Sequence, residues 1–156
     1  MKLAFLCANH RQWLSSQPDQ AFHCCANSFE TGWRLYQHGR LEEALPYVGC
    51  AFESAEILLT TQAIKPADAL EWFLHTLAGL IQTLKKLDRF DTCRQVYQGA
   101  IDRLQKESRR DAMLKPPITL QLNRLERELR QLSCSSRVHA GLNDHAAPQH
   151  WSAAVH

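Results

Sequence analysis

Apolar residues recur every three or four positions along most of the chain, the spacing at which side chains share one face of an α-helix. Long stripes of this kind run through residues 41–59 and 70–87. Further stripes follow at 96–104 and 118–132. No segment alternates apolar and polar residues over the length of a strand, so the pattern predicts an all-α fold.

Helix-breaking residues lie between the stripes and set the predicted boundaries. Pro18, Gly39, Pro66 and Pro117 mark the main breaks, because proline interrupts or starts a helix and glycine ends one cheaply. The loops between the stripes are short, which favours antiparallel packing of neighbouring helices into hairpins. We predict helices at 2–15, 19–37, 41–62, 67–86, 90–109 and 117–133.

The character of the sequence changes after Ser133. Residues 137–156 contain small residues and four histidines but no amphipathic stripe. We therefore predict one helical domain at 1–136 and a flexible C-terminal tail at 137–156. The histidines are irregularly spaced, so we predict no metal site there and no other cofactor.

The composition fits one soluble globular domain. The 156 residues are 45% hydrophobic and 22% charged, and no apolar run reaches the roughly 18 residues of a membrane span. The apolar start at 3–8 is too short for a secretion signal. The six cysteines form no C-x-x-C pair, which favours buried free thiols in the cytosol. A redox or metal role for the adjacent Cys24 and Cys25 stays open, and we predict a cytoplasmic protein.

Charge is distributed unevenly along the chain. The net charge is +2 with histidine neutral, but residues 103–137 carry nine Lys or Arg and four Asp or Glu, a local excess of +5. Such a region can track nucleic-acid phosphates, although a solvated helix face is the commoner explanation. Nucleic-acid binding is therefore an alternative function, and we expect it less than protein binding.

The segment from Gly32 to Ala51 resembles one tetratricopeptide repeat. Gly32 and Ala44 occupy the small positions at which the two helices of that repeat approach closely. Gly39 takes the position of the turn between them. A second copy can be placed on residues 80–101, where the matching positions are Phe90, Cys93, Tyr97 and Ala100.

The second copy departs from the family pattern. Ile81 stands where the close-contact glycine would be, and Asp88 replaces the glycine of the turn. Leu41 and Phe90 occupy equivalent positions, and the interval between them, here called the long period, exceeds the family period of about 34 residues. Either the helices are longer than in a standard repeat or the loop at 60–68 absorbs the excess. A plain bundle of five or six helices is the alternative to a tetratricopeptide-like right-handed superhelix.

The resemblance implies a module that binds a protein or peptide segment, because the first helices of such repeats line a concave groove. Aromatic side chains on that side would supply large contact areas at a low entropic cost. Trp72 lies off the apolar stripe of its helix, which favours either a helix contact or a partner surface. The candidate partner-binding residues are Phe29, Trp33, Tyr36, Gln37, Trp72, His75, Gln82, Lys85 and Lys86.

Alternatives stay open for several of these residues. Trp33 and Tyr36 can instead pack in the core around Trp13, and Lys85 and Lys86 can form a solvated helix end. The last predicted helix carries a short heptad stripe, which favours a helix that caps the repeat stack and leaves a homodimer seam as the alternative. The stripe consists of Ile118, Leu122, Leu125, Leu129 and Leu132.

No catalytic motif is present in the sequence. The chain lacks a P-loop, a dinucleotide fingerprint and an H-E-x-x-H motif, so we predict that it is not an enzyme. We predict a protein–protein interaction module that acts as an adaptor, chaperone or regulatory partner, away from membranes. The alternatives are a nucleic-acid-binding protein that uses residues 103–137 and a homodimeric structural bundle.

Overall fold

The computed structural model describes the backbone of residues 4–142 and the side chains of residues 4–133, and this part of the chain contains six α-helices. They are α1 (Ala8–Ser16), α2 (Pro18–Gln37), α3 (Leu41–Thr61), α4 (Pro66–Lys86), α5 (Phe90–Arg110) and α6 (Lys115–Leu142). The described residues contain no strand, so the predicted all-α fold is confirmed. Within this part of the chain, no helix combines the length and apolar character that crossing a bilayer requires.

The first residues of equivalent helices are separated by the long period. α3 and α5 begin at Leu41 and Phe90, and α2, α4 and α6 begin at Pro18, Pro66 and Lys115, at almost the same interval. α2 with α3 and α4 with α5 form two antiparallel hairpins, α3 also packs on α4, and α6 packs on α5. Residues 4–142 thus contain two hairpin units, and α6 takes the place of the first helix of a third.

The turns of the two hairpins share one backbone geometry. Gly39 has a φ of 74° and Asp88, at the equivalent position of the second hairpin, has a φ of 55°, so both lie in the left-handed region. Arg40 and Arg89 follow with φ and ψ of −84° and 62° and of −85° and 59°. Each of these arginines donates its amide to a carbonyl five positions earlier at 3.0 Å, which closes the preceding helix. The prediction that Asp88 replaces the turn glycine is confirmed.

Long helices, rather than a long loop, produce the long period. α2 has 20 residues, and α3, α4 and α5 have 21 each. Only residues 62–65 connect the two hairpins. Pro46 is exposed on α3, and the helix continues past it. The long period therefore comes from helices longer than those of a standard repeat, and not from the loop at 60–68.

A small residue sets the distance between α2 and α3. A Cβ atom added at Gly32 would lie 2.7 Å from Val48 Cγ1 and 2.9 Å from the Val48 backbone nitrogen. Ala44 is fully buried on α3. The predicted close helix approach is therefore confirmed at Gly32, and the burial of Ala44 is compatible with the same prediction for that residue.

The core is built mainly from the apolar stripes of α3, α4, α5 and α6, and it also includes Leu14 of α1 and Ala21 and Cys25 of α2. Phe73 and Tyr97 are its largest fully buried side chains. On α6, the stripe residues Ile118, Leu125 and Leu132 are buried within the same chain. This packing agrees with a C-terminal capping helix, and the homodimer stays a prediction.

Residues 4–7 are not helical, so the predicted helix start at residue 2 is wrong for this segment. The Glu53 carboxylate on α3 accepts hydrogen bonds from the amides of Phe5 and Leu6, each at 2.9 Å. The Cys7 sulfur accepts one from the His10 amide and caps α1. A buried carboxylate from a distant helix thus holds this segment, and apolar periodicity carries no signal for such a contact.

Ion pairs join α1, α3 and α5 on one side of the molecule, here called the ion-pair face. They are Glu42–Arg89 at 2.7 Å, Glu56–Arg103 at 3.1 Å, and Arg11 with Glu53 and with Glu56, both at 3.1 Å. Arg110 also donates to the carbonyls of Leu59 and Thr60 and closes the C-terminal end of α3. The pairs 42–89 and 56–103 have the same offset, so α3 and α5 run parallel and side by side.

The last helix is longer than predicted. α6 begins at Lys115 and ends at Leu142, well past the predicted end at 133. No apolar stripe continues after Leu132, so this extension leaves no mark in the periodicity. The predicted flexible tail starts inside α6, and its residues 143–156 lie outside the described residues.

Candidate functional site

Aromatic side chains form a row along α2 and α4, here called the aromatic face. On α2, the rings of Phe29 and Trp33 stack with centroids 6.1 Å apart and planes 9° apart. The rings of Trp33 and Tyr36 stack at 4.8 Å and 8°. Spacings of three and four positions place all three rings on one side of the helix. The structure therefore brings together three of the residues predicted for the partner site.

α4 forms the other side of this face. The Phe29 ring lies 4.5 Å from the His75 ring, and Phe22 meets Trp72 edge-on at 5.6 Å. A Cβ atom added at Gly79 would lie 2.9 Å from Phe29 Cε2. Because Gly79 has no side chain, the Phe29 ring can lie directly on α4 and hold the two helices together.

Lys86 lies at the opposite end of the row from Phe22. Its Nζ atom is 4.7 Å from the centroid of the Tyr36 ring. The contacts join residues 22 and 72, 29 and 79, and 36 and 86, always with the same offset, so α2 and α4 run parallel. From residue 22 to residue 36 the row is about 21 Å long at about 1.5 Å per helical residue.

The aromatic face lies at the surface rather than in the core. Trp33 and Tyr36 are half-buried and stack on neighbours of their own face. Trp13 is 48% exposed, and its ring contacts His10. The alternative in which Trp33 and Tyr36 surround Trp13 is therefore not what the structure shows. Phe22, Phe29 and Trp72 are also half-buried, whereas His75 and, at the end of the row, Lys86 are exposed.

Three predicted residues lie outside the row. Gln37 is exposed at the end of α2, in a shallow depression beside Trp33. Gln82 and Lys85 line a groove of about 800 Å³ between α4 and α6, here called the α4–α6 groove. The Lys85 ammonium donates a hydrogen bond to Tyr97 Oη at 3.1 Å. Lys85 thus makes a hydrogen bond within the fold, whereas Lys86 contacts the Tyr36 ring of the aromatic row.

A polar network behind the α4–α6 groove joins α4, α5 and α6. Tyr97 Oη donates to Glu128 Oε2 at 2.7 Å, and Arg124 donates to Glu128 Oε1 at 2.9 Å. Burial raises the pKa of Tyr97, and the Glu128 carboxylate raises it further. Burial also raises the pKa of Glu128, but the hydrogen bonds from Tyr97 and Arg124 outweigh burial and lower it overall. The network fixes α6 to the two helices before it.

A groove of about 820 Å³ lies where α2 and α4 begin, here called the N-terminal groove. Phe22 and Trp72 supply its aromatic wall, and Asp19, Asp68 and Glu71 place three exposed carboxylates along it. None of these carboxylates has an ion pair or a side-chain hydrogen bond with another described residue. The remaining lining residues are His23, Ile64 and His75.

The sequence analysis missed Phe22 and the three carboxylates. Phe22, Phe29 and Tyr36 are seven positions apart, and this two-turn spacing is the signal that could have identified Phe22. The carboxylates give no comparable signal. Asp19 and Asp68 read as ordinary acidic residues of a first helical turn, where the helix dipole favours them.

Three cysteines are held as neutral thiols by their surroundings. Burial raises the pKa of Cys25 to about 12. Burial also raises the pKa of Cys50 and of Cys93. Only the thiolate is a nucleophile or a metal ligand, so these three groups are poorly suited to either role at neutral pH. In the described part of the chain, no group of three or more His, Cys, Asp or Glu side chains could hold a metal ion.

The basic region at 103–137 is partly neutralised inside the fold. Its internal ion pairs are Arg103–Glu56, Arg110–Glu107 and Arg124–Glu128. Its exposed basic residues on α5 and α6 include Lys106, Arg109, Lys115, Arg127 and Arg130. Nucleic-acid binding therefore stays a prediction, and it depends on these exposed basic residues.

The aromatic row, the N-terminal groove and Lys86 form one continuous surface on α2 and α4, and this surface is the candidate site. It is built by two parallel helices that contact each other through Phe29 and Gly79. Comparisons of the chain with models of protein families, with curated proteins and with solved structures find no match.

Proposed function

We propose that the protein binds a segment of another protein along the aromatic face and acts as an adaptor, chaperone or regulatory partner. The observation that carries this proposal is the row of Phe29, Trp33 and Tyr36, whose rings stack on one another at the surface. Such rings bury a large area at a low entropic cost, and Trp and Tyr are enriched at the energetic centres of interfaces. Half-buried stacked rings are already ordered, so a partner loses little freedom in ordering them.

Lys86 supplies a charge at the edge of this surface. Its ammonium lies over the Tyr36 ring, and it has no carboxylate partner among the described residues. A partner carboxylate could therefore pair with it without breaking an internal contact. Lys85 was predicted for the same role, but its hydrogen bond to Tyr97 makes Lys86 the better candidate.

We also propose a tetratricopeptide-like assembly for the two hairpins. Three features support it: the close approach at Gly32, the left-handed turn residues Gly39 and Asp88, and the placement of α2 and α4 side by side. In tetratricopeptide domains the first helix of each hairpin lines the binding groove, and α2 and α4 are those helices here. The long period exceeds the family period of about 34 residues, so these units would be an elongated version.

The predictions of a cytoplasmic location and of no catalytic role also stand as proposals. Free thiols at Cys25 and Cys93, both buried, are in keeping with a reducing compartment. The raised pKa of each of these thiols is in keeping with a structural role.

The test is capture of protein partners from native lysate with matched tryptophan variants. Trp33→Ala removes the centre of the aromatic face, whereas Trp13→Ala removes an exposed tryptophan on α1 outside it. We expect Trp33→Ala to reduce capture of any specific partner at least about tenfold, as for an interface hot spot worth about 2 kcal/mol. Trp13→Ala should capture as the unchanged protein does, and both variants should keep their helical circular dichroism.

Two outcomes would contradict this proposal. Equal loss of capture in both variants would show that binding does not depend on the aromatic face in particular. Capture that disappears after nuclease treatment would favour the exposed basic residues of α5 and α6 and nucleic acid as the partner.

A further inference from the structure

Resting on the proposed function, we propose that the aromatic face binds an amphipathic partner helix in one direction only. The basic C-terminal end of that helix lies in the N-terminal groove, and its acidic N-terminal end lies at Lys86. The partner helix therefore runs antiparallel to α2 and α4.

The spacing of the side chains on the aromatic face indicates a helical partner. Phe22, Phe29 and Tyr36 project from α2 at intervals of seven positions, or about 10.5 Å at about 1.5 Å per residue. A partner helix with apolar residues at heptad spacing repeats at the same distance. Its apolar side chains would fall between these rings along the whole row.

The N-terminal groove is suited to a cationic side chain. Asp19, Asp68 and Glu71 line it without an ion pair to any described residue, whereas most other described carboxylates are paired or hydrogen-bonded. No Lys or Arg is among the described residues that line the groove. Trp72 and Phe22 add ring faces and edges beside the carboxylates, and tryptophan is the strongest cation–π partner. An Arg or Lys of the partner would meet both kinds of group at once.

Helix dipoles explain part of this acidic lining but not all of it. Asp19 and Asp68 lie in the first turns of α2 and α4, where a negative charge stabilises the helix itself. Glu71 lies in the second turn of α4, beyond the range of that effect, and it is exposed. Glu71 therefore tests the proposal more cleanly than either aspartate.

The other end of the face has the opposite charge. Lys86 lies in the last turn of α4 and contacts the Tyr36 ring, with no carboxylate partner among the described residues. Helices favour acidic residues in their first turn and basic residues in their last turn. A partner helix that follows this preference matches both ends of the face only when it runs antiparallel to α2 and α4.

The test is a selection from a phage library of helical peptides, each about 18 residues or five turns long, with leucine fixed at heptad spacing and the other positions random. Binders to the unchanged protein are separated into those that do and those that do not lose binding to Trp33→Ala. We expect the Trp33-dependent peptides to be enriched at least about threefold in Arg or Lys in their last turn and in Asp or Glu in their first. A photo-crosslinker at the C-terminus of such a peptide should label α2 near Phe22 rather than near Tyr36.

Matched charge reversals then test the groove itself. Glu71→Lys should weaken a selected basic-ended peptide about fivefold, which is the size expected for an exposed charge pair. Glu126→Lys reverses a carboxylate on α6 that also lacks a described partner and does not line the groove, and it should leave binding unchanged. Thermal unfolding of both variants checks that the fold is intact.

The outcomes separate this inference from the proposed function. If no Trp33-dependent peptide is recovered, the helical partner proposed here is wrong, whereas the proposed function is overturned only by the capture experiment with Trp33→Ala and Trp13→Ala. If such peptides are recovered but carry no charge bias, carry the reverse bias, or crosslink near Tyr36, the direction proposed here is wrong and the aromatic face remains a binding surface.

Discussion

The ion-pair face and the aromatic face are built from equivalent pairs of parallel helices, but their side chains interact differently. Charged groups are paired within the chain on the first face, whereas those at the ends of the second remain unpaired within the part of the chain that the structure describes. Between α3 and α5, charged side chains find partners within the chain, as Glu56 does with Arg103 and Glu42 with Arg89. Between α2 and α4, contact is made through rings at Phe29 and His75, and the charges at both ends stay unpaired among the described residues. One face is satisfied internally and the other is not.

This difference indicates which face is scaffold and which is available for binding. Interactions that are complete within the fold gain nothing from a partner, and a partner would have to break them. Half-exposed rings and unpaired charges have interactions still to make. The same hairpin geometry thus carries internally paired charges on one side of the molecule and the proposed recognition surface on the other.

The largest expected effect comes from breaking the ion-pair face at Glu53. Glu53→Gln removes one of two acceptors that hold the amides of Phe5 and Leu6, and it removes a charge opposite Arg11. We expect the free energy of unfolding to fall by about 2–3 kcal/mol, measured by urea denaturation. Glu71→Gln makes the same chemical change in the N-terminal groove, at the end of the aromatic face, and should alter stability by less than about 0.5 kcal/mol. Equal effects would show that the two faces do not differ in this way.

The next effect concerns the distance between α2, which carries the aromatic face, and α3, which carries the ion-pair face. Gly32→Ala places a Cβ atom 2.9 Å from the Val48 backbone, which cannot move without shifting α3. We expect a loss of about 2 kcal/mol in spite of the better helix propensity of alanine. Gly99→Ala is the control, because nothing lies within 4 Å of its added Cβ, and it should stabilise by about 0.5–1 kcal/mol. A stabilised Gly32→Ala variant would contradict the tight approach of the two helices.

A smaller effect concerns Tyr97, which reaches from α5 to Lys85 on α4. Tyr97→Phe should cost about 1–1.5 kcal/mol at pH 7, because Lys85 and Glu128 lose a buried hydrogen-bond partner. Burial and Glu128 raise the pKa of Tyr97 in the folded state, so its neutral form contributes stability that is fully present below about pH 10. This contribution is lost as the pH rises from there toward the raised value.

Urea denaturation between pH 7 and pH 11 in the presence of a reductant would measure this dependence. The unchanged protein should lose stability above pH 10 more steeply than Tyr97→Phe. Buried thiols such as Cys25, with a pKa near 12, add a decline of the same sign in both proteins and therefore cancel from the comparison. Parallel declines would show that Tyr97 ionises as freely in the folded state as in the unfolded state.

The smallest effect lies in the turns that connect the two faces. Asp88 has a φ of 55°, which costs most residues energy and glycine none. Asp88→Gly should stabilise the protein by about 0.5–1 kcal/mol, and Gly39→Asp should destabilise it by a similar amount, because the two turns share one geometry. Thermal unfolding of both variants would measure this, and a change of the same sign in the two would contradict the equivalence of the turns.

Sequence periodicity predicted most of the fold because the helices bury apolar stripes against one another. The boundaries of α3, α4 and α5 follow directly from stripes and breakers. Residues 4–7 were predicted wrongly, because their conformation depends on Glu53, which lies 47 and 48 positions away from the two amides that it binds. The end of α6 was predicted too early, because its last residues carry no stripe.

The candidate site was less accessible to sequence reasoning. Trp33 and Tyr36 could be identified as ring-bearing positions on one helix side, but their exposure depends on packing that no local pattern records. Lys85 and Lys86 are adjacent in sequence and look equivalent. The structure separates them, because the buried Tyr97 hydroxyl captures Lys85, and because one helical residue corresponds to a rotation of about 100°.

In the proposed mode of binding, the length of the hairpin helices would set the length of the partner segment that fits the aromatic face. α2 and α4 have 20 and 21 residues, and so each extends about 30 Å. A partner helix much shorter than about 14 residues, or about 21 Å, could pair with the charge at one end of the row but not with the charge at the other. In this mode of binding the protein would discriminate among partner segments by length as well as by composition, and shortening α2 and α4 by two turns each would bring the charged ends about 11 Å closer and admit shorter segments.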